Sequence, residues 1–533
     1  MKKALSLLLV IIMLLLTLGM FTSCGGSNEP SVKLIDIPLT AEEYAFVVKK
    51  GNTTLKNDYN AFLAEIKKNG KFQEIVDKYF KGIGEKIGQP VGSNDAINDE
   101  NTFVVATNCP FEPFEYLGKD GLIYGMDIEI AALYAESRGL NLVIKNIPVF
   151  DAIFMQVDSD YADIGMAGIT VNPDREKNYD FTDTYYNASQ KLIVSVNNTD
   201  FDNCTTASEV EAVLASLEGK KFGFQSGTTG GMYIVGDEDW GFTGFSNIEG
   251  KQYSTALIAT TDLANGNLYA VIVDEAPGKA IVESLDDTSI GNKLDVFFDT
   301  LNSKYFTDLL WQGIRNTIII AVVGLVMGIV IGLLIASVKV SPKKNIAIKV
   351  LDKICSFYVT IFRGTPMVVQ LLLAYYVLIP GLLGIKGVSE LTVGIIVFGM
   401  NSGAYVSEIM RGGLNSVDIG QTEAGRALGL GYGKTMLRIV IPQAVKHTIP
   451  TLGNEFITLI KETSVLSFIS VVDIKSAIDQ ISTPGYSQMG GYIVLALIYI
   501  VMICAISLLV KLVEHLLSKS DRRKGGKGKV LKR

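Results

Sequence analysis

Histidine and cysteine are scarce in this chain: two and five residues in 533. None of Cys24, Cys109, Cys204, Cys355 and Cys504 forms a CxxC pair, and no histidines cluster beside them, so neither a metal site nor a cofactor is expected. Cys109 and Cys204 could pair in an oxidising compartment, but buried free thiols are the simpler expectation. A basic footprint is missing too, since 48 Lys and Arg stand against 55 Asp and Glu, a net charge of −7. The run "RRKGGKGKVLKR" is short, terminal and free of aromatics, which argues against a nucleic-acid partner. A complete phosphate-cradling loop is also lacking. "GLGYGKT" supplies Gly433, Lys434 and Thr435 of G-x-x-x-x-G-K-[ST], but Leu428 occupies the place of the opening glycine, and no buried strand leads into it. ATP hydrolysis is therefore not expected on this chain.

What is present divides sharply. Residues 1–20 and 313–516 are strongly apolar, whereas 25–312 is polar, acidic and rich in Asp, Asn, Gly and Tyr. The length suggests roughly three to four domains. "MKKALSLLLVIIMLLLTLGMFTSC" has two lysines, an apolar core and small residues before Cys24, the layout of an export signal. Its "FTSC" resembles a bacterial lipoprotein box, which would make Cys24 a lipidated first residue; simple cleavage and an uncleaved anchor are the alternatives. Apolar runs at Thr317–Val338, Pro366–Ile379 (starting near Phe357), Leu391–Ile409, Ile449–Val472 and Tyr492–Leu512 predict five helical spans of the lipid bilayer. Gly324, Gly328 and Gly332 form a stripe of small residues that lets helices approach closely. The loops at 339–353 and 410–446 hold ten Lys and Arg, whereas 381–390 and 473–490 hold only Lys386 and Lys475. This asymmetry puts the basic loops and the tail in the cytoplasm and the acidic middle outside.

The motifs of the apolar half carry a resemblance. "EAGRALGLGYGKTMLRIVIPQA" resembles the EAA loop of ABC-transporter permeases through Glu423, Ala424, Gly425, Gly429, Ile439 and Pro442, with Gly425 replacing the second alanine and Ile441 the usual leucine. "IFRGTPMVVQLLLAYY" and "IPQAVKHTIPTLGNEFITLIKETSVLSFI" look like the polar amino-acid uptake permeases of that family. The resemblance implies a coupling helix docking on a separate cytoplasmic ATPase subunit, and a working unit of two such chains. Asn454, Glu455, Lys461 and Glu462 lie where charge is costly in a membrane, and would line either a path or a subunit interface.

The polar half alternates strand-like and helix-like segments from Phe103 onward, the rhythm of an α/β domain. "ATNCPFEPFEY", "GMDIEIAALYAESRGL", "AGITVNPDREKNYDFTDTYY" and "GFQSGTTG" resemble the extracellular amino-acid-binding proteins of the same transport systems. By that resemblance two lobes close over one free amino acid. Arg175 would grip the α-carboxylate with its planar fork, helped by Thr170, Thr228 and Thr229, with Gly168 a further ligand-binding residue. Asp274 would pair with the α-ammonium, and Phe111 and Phe150 would sandwich the aliphatic part. Asn108 stands where relatives that bind cationic or amide side chains often carry an acid; lacking that charge argues against lysine or arginine, so a neutral polar ligand such as glutamine is favoured.

Residues 32–81 resemble the end of such a binding protein yet precede its beginning. Leu55, Tyr59, Phe62, Leu63 and Ile66 recur at helical spacing and need a partner surface. The expected arrangement is a circular permutation in which 32–81 docks onto 102–284, with 82–100 as linker; the rival is a remnant of a lost duplicate domain. The expected fold is an export segment (1–24), a bilobed α/β periplasmic-binding-protein-like domain (25–304), an all-α five-helix permease domain (305–518) and a basic cytoplasmic tail (519–533). The expected function is the binding and permease subunit of an amino-acid importer in the plasma membrane, not an enzyme. A ligand-gated channel and a dehydratase-like enzyme on the same bilobed fold are the alternatives.

Overall fold

A computed structural model describes residues 31–92, 101–286, 298–341, 345–385, 388–483 and 488–525. The export segment with Cys24, the end of the basic tail, and Lys343, Lys344 and Lys386 lie outside the described residues. The described residues divide into two compact units, one drawn from 31–92 and 101–306, the other from 307–479 and 492–525.

The first unit holds two five-stranded sheets. In one, the order is Tyr179–Phe181, Val47–Lys49, Ile164–Gly165, Thr102–Thr107, Asn141–Asn146. In the other it is Val32–Ile35, Gln190–Ser195, Ala270–Asp274, Lys220–Gln225, Ile248–Tyr253. The parallel strands at the heart of each sheet read as unbroken apolar runs, "FVVAT" and "AVIVD", because helices cover both faces. Between the lobes run two antiparallel crossing strands, Glu42–Tyr44 and Tyr186–Ala188, with Tyr44 opposite Tyr186.

Residues 32–81 are woven into both lobes. Val32–Ile35 pairs with Gln190–Ser195 in the second lobe, and Val47–Lys49 lies between Ile164–Gly165 and Tyr179–Phe181 in the first. The helix Thr53–Lys68 starts at Asn52, whose side chain accepts from the Leu55 amide. It buries Tyr59, Phe62, Leu63 and Ile66; the Tyr59 ring lies 4.4 Å from Tyr134 and 6.3 Å from Phe103, measured between centroids. On the next helix, Lys71–Lys81, buried Lys78 pairs with buried Glu129 of the helix Met126–Arg138 at 2.5 Å.

In the second unit the glycine stripe does the work its spacing predicts. Gly324, Gly328 and Gly332 of the helix Lys304–Val340 face Phe398, Ser402 and Val406–Ser407 of Glu390–Asn415 so closely that a Cβ on Gly328 or Gly332 would meet those atoms within 2.8 Å. The five expected spans are not reproduced. Among the described residues three helices are long and apolar enough to cross a membrane (Lys304–Val340, Glu390–Asn415 and Gly490–Leu516), or four if a bent pair counts as one. That pair, Ile346–Gly364 and Met367–Leu382, turns by 110° at Gly364–Thr365–Pro366, where proline forbids a continuous helix. The expected span Ile449–Val472 is broken as well. The helix Ile441–Glu462 gives way to a tighter turn, Thr463–Ile469, that ends at Ser470 with φ 63°, and its Glu455 and Glu462 dilute the apolar run. Cys109 and Cys204 are free thiols.

Removing one member of a buried ion pair leaves the other uncompensated. Lys78→Ala is expected to cost about 3–5 kcal/mol in unfolding of the detergent-solubilised chain, and the double variant Lys78→Met/Glu129→Leu to recover most of it. Equal losses from the single and double variants would contradict the pairing.

Candidate ligand-binding site

Each lobe presents loops at the ends of its parallel strands, and these loops meet. Asn108, Phe111 and Glu115 follow the strand Thr102–Thr107; Phe150 follows Asn141–Asn146; Ala167, Gly168 and Thr170 follow Ile164–Gly165. From the second lobe come Gln225, Thr228 and Thr229 after Lys220–Gln225, and Asp274 at the end of Ala270–Asp274. With Arg175 these residues line one cavity. All nine residues expected from the motifs are brought together there. Glu115, Ala167 and Gln225 also line it; all three stand inside the motifs, but the resemblance does not single them out.

Arg175 sits on the helix Pro173–Asn178, whose first turn is fixed by Asn172 accepting from the Arg175 amide at 2.7 Å. The guanidinium donates to the Thr170 carbonyl at 2.6 Å and across the cleft to the Gly227 carbonyl at 2.8 Å. It lies over the rings of Phe150 and Phe154, 5.5 and 5.1 Å from their centroids, so Phe150 supports the arginine as well as lining the cavity. Burial lowers the Arg175 pKa to about 10, against the opposing pull of Asp151, Glu42 and Asp274.

Hydrogen bonds tie the lobes together. The Gln225 amide donates to Asn108 Oδ1 at 3.0 Å, and the Thr229 hydroxyl to that of Thr170 at 3.3 Å. The Thr228 hydroxyl is turned to the Gln225 carbonyl at 2.8 Å. Asn108 spends its amide on the Ile147 carbonyl at 2.6 Å. Gly168 is held at φ +52°, where a Cβ would strike the Phe111 ring at 2.4 Å; only glycine suits both demands. Its amide donates to Asp127, which also accepts from the Tyr185 hydroxyl at 2.8 Å.

Several buried acids lie in or behind the cavity wall. Asp274 accepts from the Tyr44 hydroxyl, and its pKa rises to about 7, first through burial and then through the charge of Glu42. Burial likewise raises Asp127 to about 7 and lifts Glu115 well above the usual carboxylate range, with the charge of Asp127 adding to it. Neither oxygen of the Glu115 carboxylate has a hydrogen-bond partner, a costly state for a buried polar group.

The second unit presents the EAA segment as the short helix Ile419–Ala427, capped by Asp418 accepting from the Gly420 amide. The chain then turns through Gly429 at φ +79°. Glu423 and Ala424 are exposed, flanked by Ile419 and Leu428 at 75 % and 80 % exposure. Gly425 replaces alanine for a visible reason: a Cβ there would meet the buried Thr435 side chain at 2.7 Å. Pro442 opens the following helix, where its missing N–H is harmless. Beside Glu462, a separate space of about 650 Å³ (open solvent included) is lined by Arg363, Thr365, Asn401 and Tyr405, while Glu455 accepts from the Ser402 hydroxyl at 3.0 Å.

The family described as "Binding-protein-dependent transport system inner membrane component" matches residues 328–519. The arginine transport system permease protein ArtQ of Bacillus subtilis (strain 168) is 39% identical over 168 residues, 32% of this chain and 76% of ArtQ. The chain belongs to this permease family. A second relative of the permease, NocM of Agrobacterium fabrum (strain C58 / ATCC 33970), from a nopaline transport system, is 34% identical over 228 residues, 41% of this chain and 91% of NocM. Of solved structures, an amino acid ABC transporter with histidines shares 37% identity and covers 40% of this chain and 97% of its own, at a TM-score of 0.36. The Gly52Ala mutant of arginine-bound ArgBP from T. maritima shares 25% identity, covering 37% and 83%, at a TM-score of 0.31.

Asp127 and Asp274 bind protons more tightly when folded than when unfolded, so stability held below about pH 4 is lost as pH rises through about 7. Without amino acid, the protein is expected to resist urea better at pH 5 than at pH 7.5, by on the order of 2 kcal/mol. A stability that rises across that window would contradict these assignments.

Proposed function

We propose that this permease carries its own receptor, and that the first unit binds a free amino acid outside the plasma membrane for uptake through the second. The observation that carries this reading is the convergence of Arg175 and Asp274, from opposite lobes, on one cavity. A buried fork at one wall suits an α-carboxylate, and a buried carboxylate at the other suits an α-ammonium. Phe111 and Phe150 supply apolar walls between them. The orientation rests on the lysine and arginine asymmetry of the loops. Tethering keeps the receptor's local concentration at the pore high without any new contact.

The side chain of the ligand faces a different environment from the one Asn108 alone suggests. Glu115 brings an unpartnered buried acid to the same cavity, so the ligand ends in N–H donors, as glutamine and arginine both do. As a neutral acid Glu115 complements an amide; ionised, it pairs with a guanidinium.

Residues 32–81 complete both lobes from the wrong end of the sequence, and their strand pairing supports the reading of a circular permutation, with exposed former termini as the tolerated break. The exposed helix Ile419–Ala427 is the docking element for a separate cytoplasmic ATPase, in an assembly of two such chains. Cys24 is the lipid attachment point in this scheme.

Calorimetry of the detergent-solubilised full chain should show binding of L-glutamine or L-arginine. Arg175→Ala should weaken it roughly thirty- to five-thousand-fold, the equivalent of about 2–5 kcal/mol; an affinity within about threefold of the parent would sink the assignment. Substituting Glu423 or Gly429 should abolish ATP-driven uptake in proteoliposomes while leaving that affinity unchanged. Normal uptake by both variants, with the ATPase bound, would remove the coupling role.

A further inference from the structure

The crossing strand Glu42–Tyr44 reaches into the ammonium end of the cleft. Tyr44 is fully buried against Phe114 and Tyr186, with ring centroids at 5.2 and 5.7 Å, and its hydroxyl donates to Asp274. Two residues earlier, the buried Glu42 carboxylate accepts from the hydroxyls of Thr40 and Thr170 at 2.6 and 2.8 Å. One strand thus sets a second acid and a phenol beside the acid assigned to the ligand's ammonium. The other ionisable groups facing Asp274 are Arg175 from its helix, Tyr186 from the partner crossing strand, and Glu275 next in sequence. Glu275 is matched by Lys191 at 2.9 Å and Lys279 at 2.6 Å. Arg175 is the one cation among those groups, and Asp151 also draws on it. Two buried negative charges in so little water are costly, and an arriving ammonium cancels one of them.

We propose that Asp274 holds a proton in the absence of ligand and releases it when the ligand's ammonium docks, so that each binding event exchanges a proton for a cationic group. The proton passes from the Asp274 carboxyl to solvent, and the ammonium N–H takes its place on the same oxygens; no bond other than these changes. Glu42 and Tyr44 are positioning residues in this exchange, and they push it in opposite directions. The charge of Glu42 favours the protonated form of Asp274, whereas the Tyr44 hydroxyl favours the ionised one. The inference rests on the assignment of Asp274 under the proposed function.

The test is calorimetry of the full-length protein with L-glutamine and with L-arginine, at each pH from 5 to 9, in paired buffers of different ionisation heat. About half to one proton should be released per ligand near pH 6–7 and none by pH 9, and affinity should fall about tenfold per unit below pH 6. Glu42→Gln should move the release window to lower pH, and Tyr44→Phe should move it to higher pH. Protons shed by Glu115 towards a guanidinium would appear with arginine alone and would not follow either variant. A merely structural crossing strand would weaken binding in both variants without moving the window, and that result would overturn the inference. Zero proton release from pH 5 to 9 with intact binding would overturn it too, while sparing the proposed function. Failure of both amino acids to bind would overturn the functional reading and this inference together.

Discussion

A guanidinium withdrawn from water must be supplied with partners, and the cleft is arranged around that demand at Arg175. Its hydrogen bonds go to two carbonyls, Thr170 in one lobe and Gly227 in the other, and two phenylalanine rings cover it. Neither carbonyl carries a full negative charge. Compensation comes instead from the nearby acids Asp151 and Glu42, joined by Asp274 when it is ionised, each at a desolvation cost of its own. In the proposed reading a zwitterionic ligand settles both accounts at once, its carboxylate on the guanidinium and its ammonium among the acids. The same side chain thereby joins ligand recognition to contact between the lobes.

Those lobes depend on a segment that comes from the front of the chain. Val32–Ile35 and Val47–Lys49 each occupy a place in a sheet, and the crossing strand between them delivers Glu42 and Tyr44 to the cleft. The segment is therefore part of the structure that holds the site, rather than an appendage. Its helices are fastened by aromatic packing around Tyr59 and by the buried Lys78–Glu129 pair.

Much of this was legible in the sequence, for a physical reason. Arg175, Gly168 and the paired threonines sit in short motifs whose geometry is local, such as an Asn-capped first turn or a positive-φ glycine. The amphipathic face of 53–68 was legible because burial on a helix follows a 3.6-residue period. Glu42 and Tyr44 were not, since their place in the cleft comes from long-range pairing with Tyr186–Ala188. Glu115 was visible as a residue but not as a buried, unpartnered one. The membrane half misled by hydropathy: Pro366 and the charges at Glu455 and Glu462 break what composition alone reads as continuous spans. Gly425, an oddity in the EAA segment, became intelligible only beside Thr435.

The most direct measurement is a cryo-electron-microscopy map of the chain with its amino acid bound. The account predicts the ligand's α-carboxylate on the Arg175 guanidinium, its ammonium within hydrogen-bond reach of Asp274, and its side-chain terminus beside Glu115. Ligand density elsewhere in the first unit, with Arg175 and Asp274 untouched, would contradict it.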